Sequence, residues 1–222
     1  MKRPNYLWIY PIIPFALSWI FDFPQILSIP LKADYGITED KILMLYSIYS
    51  LPNMIFVFIG GILLNKFGMR IFLLCILLVF FGNCIFCLGI LMNYYWLMMT
   101  GRFLVGLGGE TGITATFWSM NNFIEEKYYR KMTGLIYIVC TISGMGNIYS
   151  TPRIWLATKS FFWPIILSSI AQIITLIAFS LFYLGNEHIK RPVYKRLTDI
   201  IDLPDNIDEL FDVDNEDNKS DK

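Results

Sequence analysis

The chain has 222 residues, of which 55% are hydrophobic and 16% charged, with a formal net charge of +0 and a mean hydropathy of +0.52. Soluble domains run at roughly 45–50% apolar, so this excess excludes a water-soluble globule. The zero net charge supplies no general attraction to nucleic acid, and the sole histidine, His188, lies outside the apolar region, which excludes a histidine metal site or histidine relay within a membrane.

A bilayer core is about 30 Å thick and is crossed by about 20 mostly apolar residues in a helix. Lipid offers no partner to an open backbone, so each apolar stretch is expected to be helical. The first spans 7–31 and follows Lys2 and Arg3. It carries Pro11, Pro14, Asp22 and Pro24 and lacks a small-x-small cleavage site. A secretory signal core runs only about 7–15 residues, so this stretch is expected to be a retained first helix. Further spans are expected at 43–64, 71–92, 95–121, 133–157 and 161–185. Pro152 and Pro164 blur the boundaries of the last two. Cys84 and Cys87 have CxxC spacing, but with no second pair or histidine beside them they are expected to be packed thiols, like Cys75 and Cys140.

Six spans make residues 1–185 a transmembrane bundle. Eleven Lys and Arg fall on the side of the termini and four on the other, which puts both termini in the cytosol. Residues 186–222 form a second region. A basic stretch at 190–196 gives way to ten acidic residues between 199 and 221, a composition expected to leave a largely disordered cytosolic tail.

The segment between the second and third spans contains Gly60, Gly61, Asn65, Lys66, Gly68 and Arg70. It resembles the loop signature of the major facilitator superfamily, with Gly61, Asn65, Lys66, Gly68 and Arg70 at the motif positions. Its glycines are expected to let the helix ends turn within a few residues. The sequence departs at Asn65, where the family has Asp, and at Met69, where it has a cation. The Asp that contributes a charge lock in the family is therefore missing here. The fourth span carries Arg102, Gly106 and Gly108, matching the family's Arg-x-x-x-Gly-x-Gly pattern, followed by Gly109 and Glu110. Together with the run from Asp22 to Leu27 and the Tyr49-Ser50-Leu51-Pro52-Asn53 stretch, these residues are similar to the domain-containing protein 1 branch of that superfamily. The resemblance implies an all-α fold, of which six helices are one half. It implies transport of small organic solutes, with dipeptides or amino acids as cargo, export from lysosomes and a glycosylated accessory subunit. A half needs a second six-helix unit, supplied by another half or by a homodimer. The alternatives are a non-transporting scaffold or regulator, or a truncated product. On the fifth span Thr141 stands where the dipeptide carriers have an arginine suited to a carboxylate.

Three ionisable residues sit at bilayer depth: Asp22, Arg102 and Glu110. Each costs roughly 2.5–3.5 kcal/mol at a helix centre on insertion scales, so each requires a partner or a wet cavity. At about 1.5 Å per residue, Asp22 lies about 4–5 Å outside the midplane, Arg102 about 9 Å outside and Glu110 about 3 Å inside. The expected arrangement has Arg102 held by Asp22, with Glu110 facing the cavity as a substrate-amine or proton site. Tyr46, Tyr49, Asn53, Thr114, Trp118, Thr141 and Asn147 are further candidates to line a pathway, and Gly108-x-x-x-Gly112 and Gly144-x-Gly146 are expected to be close-packing sites. No phosphate loop, nucleophile triad or metal spacing appears, so neither enzymatic activity nor a cofactor is expected. Tyr194 and Leu197 fit a Tyr-x-x-apolar sorting peptide. This favours a lysosomal or other endomembrane address, with the plasma membrane as the alternative. The topology has a direct check. Asn218 begins an Asn-Lys-Ser sequon, and in a cytosolic tail it never meets the glycosylation machinery. Glycosidase treatment of the native protein should leave its gel mobility unchanged.

Overall fold

The computed structural model describes residues 9–185, and among these every regular element is a helix. The tail and the Tyr194 and Leu197 peptide lie outside the described residues. The first expected span is three helices in line: α1 (Ile9–Phe21), α2 (Phe23–Ile26) and α3 (Ser28–Tyr35), with breaks at Asp22 and Leu27. Pro24 lies in the first turn of α2, where the missing N–H is tolerated. The second to sixth spans are α4 (Glu39–Phe67), α5 (Met69–Leu91), α6 (Tyr95–Phe123), α7 (Glu126–Thr158) and α8 (Phe162–Gly185). Of these, α4, α5, α7 and α8 are each long and apolar enough to cross a membrane. At 29 residues α6 has the length, but its glycines, threonines and two charges dilute its hydropathy.

Several boundaries differ from the sequence expectation. Gly60 and Gly61 do not turn the chain; both lie inside α4. The turn into α5 is Gly68 alone, at φ 63° and ψ −137°, a conformation that only glycine adopts without penalty. Gly60 instead packs against Thr111 of α6. Pro152 sits within α7 without ending it, and Pro164 sits in the first turn of α8. At its start α7 reaches seven residues further than expected, because the charged residues before Thr133 are helical but too polar for the lipid core.

The bundle is assembled around α6, which packs along both α5 and α4, while α1 packs on α7 and α8. Small residues permit the contact, as they do wherever apolar helices meet in apolar solvent. A Cβ at Gly101 would lie 2.7 Å from the Gly82 carbonyl oxygen, and one at Gly108 would lie 2.5 Å from the Cys75 carbonyl oxygen. A Cβ at Gly106 would collide with the Tyr49 carbonyl of α4. Gly112 makes only ordinary contact with Leu17, and Gly144 has open space beside it, so the Gly144-x-Gly146 pair is not a close-packing site. The four cysteines are free, and the buried Cys87 lies over Asn83 one turn away on α5.

The outer faces of α4 and α7 are largely uncovered and apolar. Leu51, Met54, Phe58 and Ile62 are exposed on α4, as are Ile138, Met145, Ile148 and Tyr149 on α7. Such faces require lipid or another bundle.

The α5–α6 contact is testable. Gly101→Ala forces a methyl into backbone, and overpacking of this kind costs about 1–3 kcal/mol. Gly134→Ala, with nothing within 4 Å of its Cβ, serves as control. Thermal melting in detergent should drop for the first and hold or rise slightly for the second, since alanine is the better helix former.

Candidate functional site

The site begins with the break in α1. Pro24 has no N–H, so the helical donor of the Ile20 carbonyl is missing. The Gln25 N–H bonds to the Asp22 carbonyl at 3.0 Å and to the Tyr46 hydroxyl at 3.1 Å, which leaves the Phe21 carbonyl open as well. Arg102 answers both. Its Nη1 donates to Ile20 O at 3.0 Å and its Nη2 to Phe21 O at 2.8 Å. The guanidinium fork suits two neighbouring acceptors, and Tyr49, Tyr46 and Phe86 surround it at 5.0, 5.6 and 5.6 Å from their ring centroids. Arg102 is 1% exposed.

The expected Asp22–Arg102 ion pair is therefore absent. Among the described residues the ion pair formed is Lys32–Glu39, across the α3–α4 turn. The depth estimate brought Arg102 to the correct level of helix 1, but the acceptors there are the carbonyls freed by Pro24. Nor does Arg102 line the cavity described below.

The remaining carbonyls of α1 receive donors from two more helices. Ser143 of α7 bonds to Phe15 O at 2.7 Å, and Asn147 of α7 bonds to Trp19 O. From α8, Gln172 reaches Ala16 O at 2.7 Å and Thr175 reaches Ile12 O at 3.4 Å. Asn147 is consequently a buried clasp on α1 and not part of the cavity wall; its own Oδ1 accepts from Thr151. Ser143, Asn147 and Thr151 recur every four residues along one face of α7. That stripe was readable in the sequence, whereas Gln172 and Thr175 had no comparable signal.

Beside α1 lies a cavity of about 280 Å³. Its wall includes Leu17, Ser18 and Phe21 of α1, Asp22 at the break, Tyr49 of α4, Gly109 and Glu110 of α6, and Cys140 and Gly144 of α7. Asp22 and Glu110 thus share one chamber, as does Tyr49. Glu110 is half-buried, and no cation lies within 4.0 Å of it among the described residues. Ser18 and Cys140 were not anticipated as wall residues.

The other candidates are placed elsewhere. Tyr46 holds the break, accepting from Gln25 and donating to Asp22 O at 3.4 Å. Asn53 is half-buried beside Pro52, with an unpartnered Oδ1. Thr114 is half-buried on α6 and is not in this wall. Trp118 donates its Nε1–H to Asn65 Oδ1 at 2.9 Å, joining α6 to the end of α4. Thr141 is exposed and bonds back to Tyr137 O of its own helix at 2.9 Å. Lys66 and Arg70 are exposed on either side of Gly68.

Among the described residues every regular element is a helix, and long apolar spans set around a small chamber with two carboxylates in its wall define a multi-pass membrane protein. The sequence profile of the Major Facilitator Superfamily matches residues 12–203, and the chain belongs to that superfamily of transporters. It is 37% identical over 138 residues to the lysosomal dipeptide transporter MFSD1 of Mus musculus, a match covering 60% of this chain and 29% of the relative. It is 31% identical over 138 residues to that of Bos taurus, with the same coverage, and 34% identical over 123 residues to that of Danio rerio, covering 54% and 27%. The chain thus spans less than a third of the length of these relatives.

The clasp on α1 has a measurable weight. Arg102→Leu strands two carbonyls, each costing about 1–3 kcal/mol when buried without a partner. Arg102→Lys keeps the charge but loses the fork, so it should restore less than half of the lost stability. Asn147→Ala should cost about 0.6 kcal/mol, the mean for side-chain hydrogen bonds between membrane helices. Melting of the three variants in one detergent gives the ranking.

Proposed function

We propose that these six spans are one repeat of a small-solute transporter that works against a second six-helix unit, and that Glu110, with Asp22 in the same chamber, takes the amine of the cargo or a coupling proton. The observation that carries this reading is a cavity between the spans whose wall includes two carboxylates, neither of them in an ion pair among the described residues. Intramembrane carboxylates are costly and are retained where they act. Amine-bearing solutes include amino acids and dipeptides, and the relatives are named for dipeptide transport.

The cavity lies between α4, which supplies Tyr49, and α7, which supplies Cys140 and Gly144. These two helices also carry the broad uncovered apolar faces, and we assign those faces to the second unit, whether another half or a second copy. Rocking of two such bundles about a shared site gives alternating access. Cytosolic termini, an endolysosomal membrane and an accessory glycosylated subunit belong to the same reading, supported by the Lys and Arg distribution and the kinship to lysosomal transporters. The rival reading, a non-transporting scaffold, draws on the altered motif residue: Asn65 is already engaged by Trp118 within this bundle.

Glu110→Gln preserves shape and removes charge. Solute uptake by the assembled transporter, at matched membrane levels, should fall at least tenfold, with expression and assembly intact. Uptake equal to that of the unaltered protein would refute the role given to Glu110, and absence of uptake by the unaltered assembly would favour the scaffold.

A further inference from the structure

One end of the bundle carries five exposed cations, none of them in an ion pair among the described residues. Lys66 and Arg70 flank the Gly68 turn between α4 and α5, and Lys127, Arg130 and Lys131 lie in the first turns of α7. The Trp118 indole bonds to Asn65 at 2.9 Å, which ties the last turns of α6 to the end of α4. Only Ile124 and Glu125 separate α6 from α7, so both groups of cations belong to one face. Lys66 lies 5.4 Å from the Phe67 ring centroid and Lys127 lies 5.3 Å from that of Tyr128, contacts that hold the cations without neutralising them. The acids described beside them, Glu125 and Glu126, stand at the N-terminus of α7, where the helix dipole favours them. Lys and Arg collect at whichever end of a bundle stays cytosolic, which explains their side but leaves their charge unanswered.

The chain leaves the bundle at this same end. Phe179, in the last two turns of α8, packs on Phe72 in the first turn of α5 with ring centroids 4.6 Å apart, so α8 ends on the side of the Gly68 turn. Residues 186–198 then lead to a segment, 199–221, that holds ten carboxylates and, within it, the single cation Lys219. Fully extended at about 3.3–3.6 Å per residue, that connection reaches about 45 Å. Packed helices are about 8–10 Å apart, and α8 packs on both α5 and α7, so both groups of cations lie well within reach. With the four cations of 190–196 and Lys219 set against the segment, five of its ten carboxylates remain. Its middle reads Asp208-Glu209-Leu210-Phe211-Asp212, two apolar side chains between acids, and Phe67, 41% exposed, stands among the cations. An anionic bilayer surface repels such a segment, whereas a short tether holds it near the cations at an effective concentration on the order of millimolar.

We propose that the acidic segment 199–221 docks on this basic face of its own bundle, its carboxylates set against Lys66, Arg70, Lys127, Arg130 and Lys131, with Leu210 and Phe211 against Phe67. The contact goes beyond the transport reading and stands whether or not that reading holds. A single exposed ion pair contributes little, so the binding comes from several pairs together and from the tether. While occupied, the face is closed to anionic lipid headgroups and to acidic surfaces of other proteins. Salt opens it, because exposed charges are screened.

The test uses the full chain, one copy per phosphatidylcholine nanodisc, treated with a carbodiimide that joins a carboxylate to a lysine amine in contact with it. Peptide mass spectrometry at low salt should find the 199–221 segment joined to Lys66, Lys127 or Lys131. The yield should collapse in about 1 M sodium chloride, where the screening length is about 3 Å. Arg70→Glu combined with Arg130→Glu leaves those lysines in place and should lower the yield at them severalfold, while Arg70→Lys combined with Arg130→Lys should hold it. Both arginines are exposed, so neither pair of changes should move the melting temperature. Products that join the segment only to Lys190 or Lys195 overturn the proposal, as does a yield indifferent to salt or to the two glutamates. A yield that disappears when phosphatidylserine replaces part of the lipid also overturns it, and assigns the face to anionic headgroups.

Discussion

A backbone carbonyl in lipid has no water to fall back on, and that constraint organises this bundle. Helix 1 breaks because Pro24 withholds an N–H, and the break would leave main-chain oxygens bare in a medium where each bare group costs several kcal/mol. The rest of the fold answers it. Arg102 from α6 covers Ile20 and Phe21, while Ser143 and Asn147 from α7 and Gln172 and Thr175 from α8 reach carbonyls further down α1. Three helices are thereby fixed in azimuth and depth around α1. Apolar packing alone could not fix them so, since lipid tails compete on equal terms with Leu and Ile side chains.

The three intramembrane charges fall into two kinds. Arg102 is surrounded by carbonyl dipoles and ring faces and is closed to the cavity. Asp22 and Glu110 line the cavity and form no ion pair among the described residues. The same helix carries both kinds: Arg102 and Glu110 are eight residues apart on α6, far enough for one to be sealed and the other to face the chamber. The glycines between them serve both ends, Gly106 and Gly109 by admitting α4 and Gly108 by admitting α5.

The spans were legible because hydropathy and length are one-dimensional properties. The 95–121 and 71–92 expectations fall within two residues of α6 and α5. Depth was legible too, at a fixed rise per residue, and it brought Arg102 to the end of α1. Direction around the helix axis was not. Asp22 and Arg102 share a level, but their side chains leave for different surroundings, and nothing in the sequence of either helix says so. The α8 clasp residues Gln172 and Thr175 were hidden for another reason. A lone Ser or Thr in an apolar helix usually bonds back to its own turn, as Thr116 and Thr141 do, and Thr175, which also bonds back to Ala171 O, is distinguished from them only by what packs beside it. The motif glycines misled because Gly60 and Gly61 serve a helix contact, leaving the turn to Gly68 alone.

The distribution of donors also sets an order of events during synthesis. Within this bundle α1 is synthesised ahead of α6, α7 and α8, on which its carbonyl partners reside. Moreover α6, with its glycines and two charges, is among the least self-sufficient spans for entering lipid and has its broadest contacts with α5 and α4, which precede it. The early helices must therefore wait, incompletely partnered, at the insertion machinery until the later ones arrive. The bundle closes on its first helix only when its sixth span has been made.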